Sequence, residues 1–344
     1  MTAVIDSPFA TVYEGDALTT LRTLEADSVD CCVTSPPYWG LRDYGHAQQM
    51  GLEPSPFEYI EKMAGVFDEV RRVLKPSGTC WLVIGDSYAG MNKSRKYADV
   101  QNSAKQISNN GSYAYHGNWS ADASQFGTIK PKDLCGIPWR LAFALQERGW
   151  YLRQDIIWAK PNPMPESVTD RCTRSHEYVF MLTKCARYAY DGDAISERSQ
   201  WNGMSGDKNY RHSLNARIDG GMNSGTHNRR DSGIPRTFHN HDLAMSTGRC
   251  GDRIDGTRNR RDVWTIQGEP FPDAHFATFP TKLVELCIKA GCPPDGVVLD
   301  PFGGCGTTGE VAVKLGKRAI LIELNPQYIE MIRKNLGLFA MATA

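Results

Sequence analysis

The sequence predicts an α/β protein: a doubly wound, mostly parallel sheet with helices on both faces, interrupted by a loop-rich inserted region. Three observations predict this. Short apolar runs such as Cys80–Ile84 alternate with stretches that repeat apolar residues at steps of three and four. One run, Val297–Asp300, passes directly into a glycine-rich turn and then a helical pattern. Between two core-like ends lies a middle whose large apolar residues are isolated.

Taken in order, Val29–Thr34 reads as a buried strand ended by Ser35-Pro36-Pro37. Phe57, Ile60, Ala64, Phe67, Val70 and Leu74 mark one face of an amphipathic helix. Lys75-Pro76-Ser77-Gly78 is expected to stop that helix before the strand Cys80–Ile84, which Gly85-Asp86 closes. Residues 91–129 are rich in Asn, Ser, Gly, Tyr and Lys and break the rhythm. It returns from about Pro138 to Lys184, with a helix at Trp139–Arg148 and strands around Asp155–Trp158 and Glu177–Thr183. Pro161, Pro163 and Pro165 mark an extended loop between those strands. From 263 to 338 the pattern gives a helix at Thr281–Ala290, a strand at Val297–Asp300 and a helix at Gly309–Leu315. A strand at Ala319–Glu323 and a helix at Pro326–Leu336 follow, with Asn325 as its cap and Pro326 at its first position.

Composition excludes several classes. Of 344 residues, 41% are hydrophobic and 23% charged, which is globular rather than disordered. No uninterrupted apolar run exceeds five residues, whereas a membrane-spanning helix needs about 20. Met1–Ala10 contains Asp6 and Pro8 and lacks a basic start with an apolar block, so no secretory signal is expected. The ten cysteines include no C-x-x-C pair and several sit in apolar runs. Reduced, buried thiols in a cytoplasmic protein are expected, and no metal. His239 and His241 read as part of a polar loop. Lys+Arg and Asp+Glu both number 39, so a nucleic-acid surface would need local charge segregation. Residues 198–262 supply some, with 12 basic against 7 acidic residues. Composition leaves two readings of that stretch open, plain disorder and a loop-built surface that reads nucleic acid.

Two motifs carry chemistry. Gly304, Gly306 and Gly309 satisfy G-x-G-x-x-G after a buried strand, and about 19 residues later Glu323 ends the next apolar strand. Glycines let a ligand approach the backbone, the helix start offers free N–H groups, and a terminal carboxylate can accept both hydroxyls of a ribose. This Rossmann-like unit suits an adenosine-containing cofactor, and by itself fits a nicotinamide dinucleotide as well as S-adenosylmethionine. The second motif, Val33-Thr34-Ser35-Pro36-Pro37-Tyr38, ends a buried strand. Two successive prolines remove two donors and fix two φ angles, leaving a rigid, acceptor-rich turn beside an aromatic ring. Such a turn suits a base amine and a flat ring.

With these residues in place, the sequence resembles the amino-group DNA methyltransferases that use S-adenosylmethionine. Thr34–Tyr38 is similar to their catalytic (S/N/D)-P-P-(Y/F) motif and Asp300–Thr308 to their D-P-F-x-G-x-G-T-T loop. Gly15-Asp16-Ala17-Leu18 resembles their G-D-x-L element. Phe276-Ala277-Thr278-Phe279-Pro280 with Leu283, preceded by His275, resembles their H-x-A-x-F-P element. The catalytic motif precedes the cofactor loop, the order of the permuted β group. The resemblance implies a methyltransferase fold with circularly permuted motifs: a catalytic half at 11–90, a loop-rich insertion at 91–129, the rest of the catalytic core at 130–190, a target-recognition region at 191–262 and a cofactor-binding half at 263–338. It implies S-adenosyl-L-methionine as cofactor and double-stranded DNA as partner, and it is compatible with a homodimer. Ser35, Pro36, Pro37 and Tyr38 are the expected catalytic residues, with Ser35 and the Pro36 carbonyl accepting from the amine and Tyr38 stacking on a flipped base. Expected around the cofactor are Asp16, Pro280, Thr281, Lys282, Asp300, Pro301, Phe302, Gly303, Gly304, Cys305, Gly306, Thr307, Thr308 and Glu323. Arg229, Arg230, Arg258, Arg260 and Arg261 are the expected DNA contacts. The serine form of the motif favours cytosine N4 over adenine N6. An NAD-dependent oxidoreductase would leave Ser35–Tyr38 idle, and a protein glutamine methyltransferase has the reverse motif order. A non-catalytic DNA-binding module would leave the cofactor unit unexplained. No Pro-Cys nucleophile for ring-carbon methylation is present.

Overall fold

The strands of the computed structural model are, in chain order, β1 (Ile5–Asp6), β2 (Ala10–Glu14), β3 (Val29–Thr34), β4 (Leu74–Ile84), β5 (Tyr151–Ala159), β6 (His176–Thr183), β7 (Glu197–Arg198), β8 (Thr257–Arg258), β9 (Val263–Thr265), β10 (Val297–Asp300) and β11 (Arg318–Glu323). The helices are α1 (Ala17–Leu21), α2 (Pro56–Val73), α3 (Ile137–Glu147), α4 (Thr281–Gly291), α5 (Thr307–Lys314) and α6 (Pro326–Ala342). The structure describes residues 2–40, 48–89, 127–163, 165–199, 256–269 and 279–342.

Among the described residues, nine strands form one sheet in the order β1-β2-β11-β10-β3-β4-β6-β5-β9. From β2 to β4 all neighbours are parallel, and β6 runs antiparallel between β4 and β5. The central strands are buried on both faces, which is why β3 and β10 read as apolar runs without alternation. Helices α1, α2 and α3 cover one face and α4, α5 and α6 the other. The crossover through α5 leads from β10 outward to β11, while that through α2 leads from β3 outward to β4. Adjacent β10 and β3 therefore flank the point where the winding reverses, the place where such sheets open a crevice at their carboxyl ends.

Local signals set the element ends. Ser55 caps α2 by accepting from the Glu58 amide at 3.1 Å, and Pro56 opens the helix. Asn325 accepts from the Gln327 amide at 2.9 Å at the start of α6. Asp86, just past β4, caps α3 from outside by accepting from the Gly136 and Ile137 amides at 3.1 and 2.9 Å. The expectation for Lys75–Gly78 needs correction. The helix does end at Val73, but these four residues belong to an eleven-residue β4. The pairing with β3 shifts register between Val29 and Cys31, and this bulge accommodates Pro76, which has no N–H for the ladder. Helix α5 likewise starts at Thr307 rather than Gly309, because Gly306 takes the left-handed cap position at φ 90°.

The described residues divide into two compact units, residues 1–190 with 261–344, and Asp191–Arg260. In the second, β7 and β8 pair antiparallel. Most of the 91–129 and 198–262 stretches, with Arg229, Arg230, His239 and His241, lies outside the described residues. Of the cysteines described, seven are buried, while Cys172 is exposed and Cys185 half-buried; all are free thiols. No described helix is long and apolar enough to cross a membrane.

Candidate active site

At the crevice between β3 and β10, one cavity is lined by Ser35 and Pro37 from the turn after β3 and by Asp300–Cys305 from the loop after β10. Glu323, Asn325 and Tyr328 close it on the β11 side, and Gly15 and Asp16 on the β2 side. Parallel pairing sets Glu323 beside Glu14, and the Gly15 amide donates to the Glu323 carbonyl at 2.9 Å. The two sequence motifs, hundreds of residues apart in the chain, thus share one cleft.

Asp300 joins them. Its Oδ1 accepts from the Thr34 hydroxyl at 2.6 Å and the Phe302 amide at 3.1 Å, and its Oδ2 from the Thr308 hydroxyl at 2.7 Å. Burial pushes its pKa up to about 6, against the opposing effect of those three donors. Asp30 makes a matching tie at the other end of the same strands, pairing with Lys75 at 2.8 Å and accepting from the Val297 amide at 2.9 Å.

Glu323 is the second buried carboxylate. Its Oε2 accepts from the Gly304 amide at 2.7 Å and its Oε1 from the Asn325 amide at 2.8 Å. Burial raises its pKa to about 7, the amides oppose the rise, and nearby Asp300 adds to it. Each oxygen holds one backbone donor, which fixes the carboxylate and leaves a further acceptor site on each for a pair of hydroxyls. Gly303 and Gly304 both line the cleft. A Cβ on Gly303 would lie 3.3 Å from the Ile322 carbonyl, and Gly304 holds φ 51°. With apolar Phe302, Ile322 and Phe279 around the Glu323 carboxylate, these residues fit an adenosine-containing group.

Not every expected residue lines this cleft. Thr308 is fully buried beneath it on Asp300. Gly306 caps α5 against Ile332. Pro280 precedes α4. The Thr281 amide and hydroxyl both donate to Glu269, and Lys282 pairs with Glu285 at 2.9 Å. Pro36 is buried. The Tyr38 ring lies against Gly85, where a Cβ would meet it at 2.7 Å, and its hydroxyl donates to Glu177 Oε2 at 2.8 Å. The Pro37 carbonyl accepts from the Tyr59 hydroxyl at 2.9 Å. Two expected DNA contacts hold their own unit together: Arg258 pairs with Glu197 at 2.8 Å, and Arg260 donates to the Ile195 carbonyl at 2.8 Å. The Arg261 carbonyl accepts from Trp264 Nε1 at 2.8 Å. Arg229 and Arg230 lie outside the described residues, as does the segment His275–Thr278. Sequence reasoning did not place Asn325 and Tyr328 in the cleft. The available signal was their position just past the strand-ending acid.

A reversing α/β sheet with a glycine-lined, acid-flanked cleft and a double-proline turn at its switch point defines an α/β protein with a cleft suited to a nucleoside-containing cofactor. A family model described as DNA methylase, of N6/N4 type, matches residues 29–334. The Type II methyltransferase M.Cfr9I of Citrobacter freundii is 43% identical over 322 residues, covering 94% of this chain and 86% of that protein. The Type II methyltransferase M.SmaI of Serratia marcescens is 40% identical over 325 residues, covering 94% and 90%. The chain therefore belongs to the N6/N4 DNA methylase family, and it is a DNA methyltransferase. The fold is shared with PvuII DNA methyltransferase (cytosine-N4-specific), at TM-score 0.54, 18% identity and coverage of 96% of this chain and 86% of that one. It is shared too with TTHA0409 of Thermus thermophilus complexed with S-adenosyl-L-methionine, at TM-score 0.52, 22% identity and coverage of 94% and 91%.

Proposed function

We propose that the protein methylates the exocyclic N4 of cytosine in duplex DNA, with S-adenosyl-L-methionine as donor and the target base turned out of the helix. The observation that carries this reading is the shared cleft. Ser35 and Pro37 line the same cavity as Gly303, Gly304 and Glu323, so a base amine at the turn faces a nucleoside cofactor held by the loop. The bound donor supplies an electrophilic methyl on a sulfonium. Glu323 receives the ribose hydroxyls, the backbone of Phe302–Cys305 flanks the amino-acid end, and Asp16 borders the cleft from the β2 side.

The chain's task at the amine is to make it a nucleophile. Its lone pair is delocalised into the base ring. Acceptors that bind its protons draw the nitrogen toward tetrahedral geometry and release that lone pair. Ser35 supplies one acceptor and the Pro36 carbonyl the other, on a turn that two fixed φ angles keep rigid. Holding the reacting atoms in line contributes on the order of 7–11 kcal/mol in well-oriented cases. Cytosine is favoured by the serine at position 35. DNA is held by the basic stretch 198–262; Arg258 and Arg260 have internal partners, and Arg229, Arg230 and Arg261 remain the proposed phosphate contacts.

The test is to incubate unmethylated plasmid DNA with the protein and labelled S-adenosyl-L-methionine, digest it to nucleosides, and identify the product by mass. N4-methylcytosine is expected. N6-methyladenine would move the target to adenine on the same site, and no labelled nucleoside would end the reading.

A further inference from the structure

We infer that Glu177 and Lys160, neither of which lines the cleft, are positioning residues for methyl transfer, holding Tyr38 and setting the direction in which the Ser35 hydroxyl points. The inference rests on the proposed reaction at Ser35.

The argument starts at the edge of the sheet. Glu177 lies second in β6, opposite Trp158 of β5, and Tyr178 beside it pairs with Ile84 at the end of β4. That register brings Glu177 to the edge where Ser35–Tyr38 leave β3. Lys160, just past β5, pairs with Glu177 Oε1, and its Nζ lies 4.2 Å from the centre of the Trp158 ring. A cation held between a carboxylate and an indole face is fixed in place. The Lys160 amide donates to the Ser175 carbonyl at 2.7 Å, closing the base of the β5–β6 loop.

Hydrogen-bond polarity then runs one way. The Glu177 carboxylate, paired with a cation, can only accept. Tyr38 therefore donates its single proton to Oε2, at 2.8 Å. The Tyr38 oxygen is left to accept, and Ser35 Oγ donates to it across 3.5 Å. With its one proton turned toward Tyr38, Ser35 can offer only lone pairs to the cavity it lines. A free serine hydroxyl would rotate, and its proton facing an amine would set donor against donor. Gly85 completes the device, because any side chain there would displace the Tyr38 ring.

The experiment uses the full chain with Glu177→Gln, Tyr38→Phe and the double variant, both changes being nearly isosteric. Single-turnover transfer of labelled methyl from S-adenosyl-L-methionine to unmethylated plasmid DNA is read beside cofactor affinity by calorimetry and DNA affinity. Each single variant is expected to slow transfer roughly tenfold or more, the scale of one hydrogen bond to a charged group. Both affinities should stay within about twofold of the wild type, and the double variant should be no slower than the slower single one, as for two links of one chain. Wild-type transfer by Glu177→Gln, or rate losses that multiply in the double variant, would overturn the inference while leaving the proposed function intact. Absence of label from DNA with the wild-type protein would instead remove the reading on which it rests.

Discussion

Asp300 and Glu323 hold their protons more tightly in the folded chain than carboxylates do in water, at about 6 and about 7. Their contribution to stability is therefore complete below the ordinary carboxylate range and is lost as pH rises through those values. Glu323→Gln should flatten the fall in melting temperature between about pH 5 and pH 7.5 relative to wild type. Ligand binding runs with the opposite sign. Two ribose hydroxyls need an acceptor on each oxygen, so adenosine affinity should increase as pH rises through about 7. In Glu323→Gln it should drop about tenfold at high pH, one charge-assisted hydrogen bond's worth, and lose its pH dependence. Titration calorimetry at several pH values reads both. Thr34→Val removes the donor that links β3 to Asp300 and should cost about 1–3 kcal/mol in urea unfolding. The place of Glu323 in the cleft was legible because strand, glycines and terminal acid sit within one short segment. The Thr34–Asp300 bond joins residues 266 positions apart. No local pattern encodes such a contact.

Elements were legible where burial is uniform and less so where it alternates. Val29–Thr34 and Val297–Asp300 are buried almost throughout and their apolar runs match their observed bounds. Strand β5 begins at Tyr151, four residues before its apolar signal, because Tyr151–Asp155 alternate between exposed and half-buried positions at one face of the sheet. The cap of α3 by Asp86 was hidden for a different reason: it spans about 50 residues of sequence. Asp86→Ala leaves the Gly136 and Ile137 amides without this acceptor and should cost about 1 kcal/mol, measured by chemical denaturation. At the start of α5, Gly306→Ala meets two obstacles, φ 90° and Ile332 Cγ1 at 3.0 Å from the new Cβ. It should lower the melting temperature and weaken cofactor binding together, since the same turn carries Gly303–Cys305.

For the molecule as a whole, charge is balanced but not evenly spread. The net charge is zero while residues 198–262 carry an excess of five positive charges, 12 basic less 7 acidic. That contrast was visible in composition, but composition cannot separate an arginine that meets DNA from one that holds a carboxylate, as Arg258 does with Glu197. Arg229→Ala with Arg230→Ala should weaken DNA binding and make it less sensitive to salt. The log–log slope should become shallower by about 0.9 for each phosphate no longer neutralised, measured by fluorescence anisotropy over a salt series.

The seating of β10 between β3 and β11 also bears on how the protein comes into being. On a translating ribosome, the turn at Ser35 emerges more than 260 residues before the strand that must lie beside it. Until then one flank of β3, at Cys31 and Cys32, has no neighbour to pair with, the kind of open edge that invites association with other chains. Closing so long a loop comes late in folding. A nascent or truncated chain therefore has the Ser35–Tyr38 turn without the pocket, and the cleft is complete only once β10 and β11 have been made.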